Sequence, residues 1–293
     1  MNQFLTAIVT GIGVGSVYAL VAVGYAFIYR TTASFNFAQG QLLAFGSLFA
    51  YTLYMAVGLP VVLALILSVV IVGALGALVE RVAIWPLARR GEDTLTWLIS
   101  TLGIAILFAG AAQRIWGSRP LAVDNYIGPK VMHFGSVNIA TPYVVTFVVV
   151  IAVAIAIEVF QRYTLWGRAM RAVGDNRSAV ELAGINVLVL GIGAFVVGGA
   201  LAGLAGFVLA PVTYAKADAG FGFVILSFAA VSIGGFSSHW GALIGGWLIG
   251  LVQSLSGTYI SLNSQELVVF GMLILILMIR PQGLLTQRAG REV

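Results

Sequence analysis

The side chains of this 293-residue sequence that could do chemistry at membrane depth are neutral amides and hydroxyls, and its charges gather near the ends of apolar runs. The stretch Ala33–Gln41, ASFNFAQGQ, brings Asn36, Gln39 and Gln41 together just after Arg30. A primary amide donates and accepts at once, so this trio suits a zwitterionic or amide-bearing solute. Burying amides costs far less than burying charges. Hydrogen bonding between helices is the alternative use of the same groups. A second candidate is Phe221–Gly246, where Gly234-Gly235 breaks the helix and Ser237-Ser238 can cap the next one. A broken helix at membrane depth frees backbone N–H and C=O groups, which are tolerated only inside protein or against a cavity. A tight turn between two ordinary spans is the alternative there.

A third stretch, Arg162–Asn186, interrupts the apolar sequence with Arg162, Arg168, Arg171 and Arg177 against Asp175 and Glu181. Its pattern is that of a short exposed helix. Asp175 or Asn176 can cap the first turn. Ala179, Val180, Leu182 and Ala183 form a small apolar face, and Gly184 is a natural C-terminal stop. A charged helix held between two spans is what a permease needs to receive force from another protein. A solvated loop whose arginines fix topology is the alternative.

Other chemistry is excluded by what the sequence lacks. There is no cysteine, so no disulfide or thiol chemistry is available. Lys130 and Lys216 have no G-x-x-x-x-G-K-[ST] context to cradle nucleotide phosphates. His133 and His239 have no metal-ligand partner at useful spacing, and no G-x-S-x-G motif occurs. Neither catalytic residue, metal nor cofactor is expected, and the chain does not read as an enzyme. Glu80, Glu158 and Glu266 fall near segment ends, and Asp124 and Asp218 in outer loops. An ion-driven carrier usually buries such groups as relays, which argues against transport powered by an ion gradient, although sodium can be held by carbonyls alone; any ATP hydrolysis must come from another chain.

The elements that must position these residues are membrane helices. The chain is 60% hydrophobic and 9% charged, with a mean hydropathy of +1.05, against roughly 25% charged for soluble domains. Length alone would allow two soluble domains; the recurrent apolar runs exclude them. The net charge of +5 comes from loop arginines, too dispersed for a nucleic-acid surface. The N-terminus lacks the positive region of a signal peptide, so the first run should remain a span.

Nine apolar segments are expected: about Phe4–Tyr29, Phe37–Val57, Pro60–Val79, Leu95–Gln113, Pro142–Phe160, Val187–Val212, Phe221–Phe236, Trp240–Ile260 and Leu267–Ile279. Phe221–Phe236 and Leu267–Ile279 are short for a span and could be re-entrant. With nine crossings and the 162–186 loop inside, eleven of the fifteen basic residues lie on the inner side. That bias puts the N-terminus outside and the C-terminus in the cytoplasm. The expected fold is therefore all-α, a polytopic bundle of eight or nine segments forming one transmembrane domain over 1–293. The outer loop Arg114–Thr141 should be an irregular cap, either docking an external protein or simply connecting. Glycines four apart at Gly199/Gly203, Gly241/Gly245 and Gly246/Gly250, with Gly11, Gly13 and Gly15, predict close helix packing. No solenoid-type period is present.

Four motifs in order give the sequence a family resemblance. They are Gly15–Leu20 with Asn36-Phe37-Ala38-Gln39-Gly40; Gly167–Ala172 with Asn176, Ala179 and Gly184-Ile185; Phe228–Gly235 with Gly241–Gly246; and the tail Arg280-Pro281-Gln282-Gly283-Leu284. Over nearly its whole length the chain resembles the LivH-type inner-membrane permease subunits of bacterial ABC importers for branched-chain amino acids. The resemblance implies two ATP-binding-cassette ATPase subunits, a second LivM-type permease in a heterodimer, and an extracytoplasmic solute-binding protein. It implies that Arg168, Arg171, Asp175, Asn176, Arg177, Ala179, Glu181 and Gly184 form the coupling helix that seats in the ATPase. It further implies a substrate path past Tyr18, Asn36, Gln39, Gln41, Ser227, Ser232, Gly234 and Gly235. The chain departs from the family's pattern at three positions. Gln39 stands where histidine is usual, Gln41 where an acid is usual, and Ser227 where a lysine is frequent. Urea or short amides are thus alternative substrates, and a carrier or channel working alone is the alternative class.

Overall fold

The computed structural model describes residues 2–285 apart from 92–93, 130 and 135–136. Arg288 and Arg291, assigned by sequence to the inner side, and Lys130, assigned to the outer, lie outside the described residues. Helices dominate, as the composition requires. They are α1 (Asn2–Thr32), α2 (Gln39–Phe49), α3 (Val61–Val79), α4 (Trp85–Arg90), α5 (Thr94–Trp116), α6 (Thr141–Tyr163), α7 (Leu165–Asp175), α8 (Arg177–Leu182), α9 (Val187–Thr213), α10 (Gly220–Gly234), α11 (His239–Tyr259) and α12 (Gln265–Ile279). Among the described residues six helices are long and apolar enough to cross a membrane: Gln3–Thr32, Val61–Arg90, Thr94–Trp116, Thr141–Tyr163, Val187–Thr213 and Leu262–Ile279.

Wider π-type turns extend two of the helices. Residues Ala50–Ala56 lengthen α2, and Glu80–Ile84 fuse α3 to α4. The second fusion corrects the expected end of the third segment at Val79, because the helix runs on through the arginines to Arg90. Arg81 and Arg89 are carried over the Trp85 ring, 4.1 and 3.9 Å from its centroid, and this cation–π stacking supports helix where charge count suggested loop. The outer loop also differs from expectation. It contains an antiparallel hairpin, β1 (Val131–Phe134) with β2 (Val137–Ala140), in the register Val131 to Ala140.

Glycine sets how the helices meet. Added Cβ atoms at Gly11 and Gly15 of α1 would fall 2.9 and 2.8 Å from the carbonyl oxygens of Gly250 and Gly246 in α11. At Gly76 of α3 a Cβ would fall 2.2 Å from the Phe195 oxygen of α9. Only a missing side chain permits that approach, and in lipid such packing replaces the hydrophobic drive between helices.

These contacts expose an internal symmetry. α1 runs antiparallel to α11, with Gly11 against Gly250 and Gly15 against Gly246; α9 runs antiparallel to α3, with Gly199 against Gly76 and Gly203 against Val72. α1 and α9 are themselves antiparallel, with Ile28 against Gly198 and Thr32 against Gly191. Each of these two helices ends in an elbow. Residues 33–38 follow α1 and residues 214–219 follow α9, and each connector leads back into the bundle to start α2 or α10. The first residue of each elbow is a non-glycine residue at positive φ, Ala33 at 53° and Tyr214 at 60°, the two such positions among the described residues. α2 then runs parallel beside α9, and α10 parallel beside α1, where Tyr18 meets Phe223 and Tyr25 meets Phe228. The starts of α2 and α10 touch at Gly40 and Gly220, where a Cβ on Gly40 would fall 2.1 Å from the Gly220 oxygen. Exchanging α1, α2 and α3 for α9, α10 and α11 reproduces the pattern of neighbours, which is an inverted repeat.

Candidate functional site

The first elbow holds the amides. Asn36 and Gln39 are fully buried. Asn36 Nδ2 donates to Gln39 Oε1 at 3.3 Å, and Asn36 Oδ1 accepts from the Ala38 amide at 3.1 Å. Gln39 Nε2 donates to the Gly198 carbonyl of α9 at 2.7 Å. Gly24 makes room for it, since a Cβ there would lie 2.7 Å from Gln39 Nε2. The backbone of Phe37 donates to Thr101 Oγ1 of α5 at 3.2 Å. Gln41, by contrast, is 1% exposed and both of its amide atoms lack a partner. Its side chain lies against the start of α10, where a Cβ on Gly220 would meet Gln41 Cδ at 2.8 Å. No side chain caps either α2 or α10.

Along α10 the expected pathway groups are also enclosed. Ser227 is fully buried with an unpartnered hydroxyl, whereas Ser232 Oγ donates to the Phe228 carbonyl at 2.8 Å. Tyr18 donates its hydroxyl to Gln253 Oε1 at 2.7 Å. Gly235 adopts a φ of 104°, and Ser238 Oγ accepts from the Gly241 amide at 3.0 Å, as the break-and-cap reading of this stretch expects. The C-terminal tail closes over the break. Leu284 and Leu285 donate their amides to the carbonyls of Ile233 and Gly234 at 2.7 and 3.1 Å. Near the same end, Tyr29, Phe35, Phe37, Phe228 and Phe236 form one aromatic cluster, with centroid separations from 4.9 Å for Tyr29–Phe35 to 5.6 Å for Phe35–Phe228.

The Arg162–Asn186 stretch folds as two helices rather than one. α8 begins at Asn176, whose Oδ1 accepts from the Ala179 amide at 3.0 Å, and Gly184 stops it at a φ of 77°. Those two features agree with the sequence. The helix it did not reveal is α7, capped by Thr164 Oγ1, which accepts from the Gly167 amide at 2.9 Å. Gly167 is required at this turn, since a Cβ would fall 2.1 Å from the Phe160 oxygen. Met170 and Val173 anchor α7 inward, whereas Leu165 and Trp166 stay exposed. α8 is exposed except for Val180, and Leu182 is 90% exposed. Arg177 Nε donates to Glu181 Oε1 at 3.0 Å.

Ion pairs tie this double helix to the bundle. Arg30 Nη2 of α1 lies 3.5 Å from Asp175 Oδ1. Glu158, near the end of α6, receives Arg162 Nε, Arg171 Nη2 at 3.8 Å, His239 Nε2 at 2.6 Å and the Trp240 indole at 3.3 Å. One carboxylate thereby joins α6, α7 and the first turn of α11. Arg168, predicted with this group, is exposed on the outer side of α7. Sequence reasoning missed Glu80. It was assigned to a segment end, but the fusion of α3 with α4 buries it to 2% exposure with Oε2 unpartnered. The run of arginines that follows it hid that placement.

A helical membrane bundle with two elbows whose helices meet inside it and a charged double helix at one end has the build of a transport permease. The chain belongs to the family of branched-chain amino acid transport system permease components, whose family model matches residues 7–278. It is 33% identical to the high-affinity branched-chain amino acid transport system permease LivH of Escherichia coli K12, over 96% of this chain and 95% of that protein. It is 34% identical to the corresponding permease BraD of Pseudomonas aeruginosa, over 97% of this chain and 96% of that protein. A probable branched-chain amino acid permease of Methanocaldococcus jannaschii is 32% identical over 83% of this chain and 78% of that protein.

Proposed function

We propose that the chain is the permease subunit of an ATP-binding-cassette importer that moves branched-chain or related amino acids inward across the cytoplasmic membrane. The observation that carries this reading is α8. Nearly every side chain of the helix is exposed, including Leu182, yet Asn176 and Gly184 define both its ends. An isolated helix of six residues is not stable in water, so an exposed one held this firmly suits docking to another chain. Of the importer's two ATPase subunits one binds here, and Arg168, Arg171, Asp175, Asn176, Arg177, Ala179, Glu181 and Gly184 carry its movement into the bundle.

On this reading the chain is one permease domain crossing the membrane nine times, with the N-terminus outside and the α7–α8 end in the cytoplasm. A solute-binding protein delivers substrate at the opposite end. A second, LivM-type permease packs against exposed glycine-bearing surface on α5, α10 or α12. Support for that surface comes from Gly103, Gly110, Gly222 and Gly271, where an added Cβ would meet nothing within 4 Å. Glycine inside a helix costs about 0.5–1 kcal/mol relative to alanine, and a lipid-facing surface has no need of it. Tyr18, Asn36, Gln39, Gln41, Ser227, Ser232, Gly234 and Gly235 belong to the moving elements that open and close the path. The unpartnered Gln41 amide favours urea or short amides as the second substrate class.

The test is uptake. Glu181→Arg and Gly184→Pro should abolish ATP-dependent uptake while membrane insertion is retained. Normal uptake in both defeats the coupling assignment. Alanine at Asn36, Gln39 and Ser232 should change transport kinetics without uncoupling the ATPases. Unaltered kinetics in all three would give them a packing role only. Co-purification of the tagged chain with ATPase subunits, and stimulation by leucine, urea or acetamide with binding protein, sorts the substrate.

A further inference from the structure

The end of α1 and the α7–α8 junction enclose a cavity of about 350 Å³, which shares Asp175 and Arg177 with the proposed coupling unit and lies apart from the proposed substrate path. That is the lower end of the range for small-molecule sites. Arg30 and Tyr29 form its inner wall, Asp175 and Arg177 its outer wall, and Ser237 enters from the turn between α10 and α11. The Arg30 side chain is only 11% exposed. Ser237 Oγ is buried and has no partner. The chain leaves the helix at Ala33, whose amide donates to Tyr29. The carbonyls of Arg30, Thr31 and Thr32 therefore receive no N–H from a further turn, and the helix dipole makes this end negative.

The cavity thus offers both signs of charge at short range, with an apolar wall beside them. Two guanidinium groups and a serine hydroxyl suit a carboxylate. The α1 carbonyl end and Asp175 suit an ammonium group. Tyr29 and Val173 offer an apolar surface to a side chain. We propose that this cavity binds a free zwitterionic α-amino acid from the cytoplasmic side, and that the bound amino acid slows import. The proposal rests on the importer reading of the chain. The mechanism is linkage. A ligand touching α1, α7 and the α10–α11 turn together stabilises the arrangement in which those elements are joined. Transport requires the α7–α8 unit to move against α1, so accumulated product restrains the step that brings in more.

The experiment uses the whole importer in liposomes and measures initial ATP-driven uptake of labelled leucine. Unlabelled L-leucine, L-leucinamide or isovalerate is supplied on the ATPase side. L-leucine should slow uptake about tenfold at ten times its dissociation constant. Leucinamide lacks the carboxylate and isovalerate the ammonium group, so neither should act. Ser237→Leu, which fills the cavity, should abolish the slowing and keep initial uptake close to wild type. Equal slowing in wild type and Ser237→Leu would overturn the proposal by locating inhibition elsewhere. Normal uptake with no slowing in wild type would overturn it as well. Absence of uptake in every preparation would count against the importer reading instead. Calorimetric titration of the same complexes with L-leucine then decides the cavity: heat lost in Ser237→Leu upholds the site, and no heat in wild type removes it.

Discussion

The two elbows share a backbone path and differ in how they are held. Both follow a long helix, both start on a positive-φ residue, and both turn back after the same connector length, at 33–38 and 214–219. The first is locked from inside by side chains. Asn36 and Gln39 bond each other, their own backbone and the Gly198 carbonyl. The second is held from outside by backbone. Ala215 exchanges both hydrogen bonds with Leu121 of the outer loop at 2.9 Å, and its charged pair, Lys216 with Asp218 at 3.5 Å, is largely exposed. One geometry therefore has a buried side-chain lock near the α7–α8 end and a backbone clasp at the opposite end. Buried locks are expensive to break, and clasps open at low cost.

The largest effect should come from the point where the elbows meet. Gly40→Val would drive a side chain against the Gly220 carbonyl and Val224. Backbone cannot yield there as a flexible side chain would, so loss of at least about 3 kcal/mol is expected, at the upper end for overpacking. Size-exclusion profiles of a fluorescent fusion should show little or no folded protein, while Gly103→Val on the open face of α5 should behave as wild type. Wild-type folding of Gly40→Val would mean that the two helix starts are not in contact.

A smaller effect should separate the lock from the clasp. Gln39→Leu removes two buried hydrogen bonds, so about 1–3 kcal/mol should be lost. Lys216→Ala removes an exposed ion pair contributing at most about 1 kcal/mol. Thermal unfolding in detergent should therefore show a clear drop for the first and almost none for the second. Equal drops would erase the distinction between the elbows.

The sequence revealed the elements better than their arrangement. Apart from the third, which runs on to Arg90, hydropathy located the apolar segments to within a few residues, because lipid demands continuous helix. It also marked Asn176 and Gly184, since capping and positive φ are local matters. The amides at Asn36 and Gln39 stood out by type, yet their bonds go to Gly198, far along the chain, which no local pattern reports. The inverted repeat left no readable trace, because symmetry of path needs only glycine and small residues where helices cross, and 36 glycines leave many registers open. Glu80 was misread for a physical reason: arginines look like a loop until Trp85 stacks against them. α7 escaped because Arg168 and Arg171 break its short apolar pattern, and its inward anchors are only Met170 and Val173.

The smallest prediction concerns the residue that starts each elbow. A non-glycine residue at positive φ carries strain of about 1–3 kcal/mol, whereas glycine loses about 0.4–1 kcal/mol of that relief to the flexibility of the unfolded chain. Ala33→Gly should therefore raise the unfolding midpoint slightly. Tyr214→Gly should do the same, since the Tyr214 side chain is 53% exposed and gives up little packing. A rise at both sites would show that the repeat imposes strain on its two turns alike, whether side chains or backbone hold the elbow. A rise at Tyr214 with a fall at Ala33 would mean that the lock needs the Ala33 methyl in place. The strain would then belong to the path of the chain at Tyr214, and at Ala33 to the packing around it.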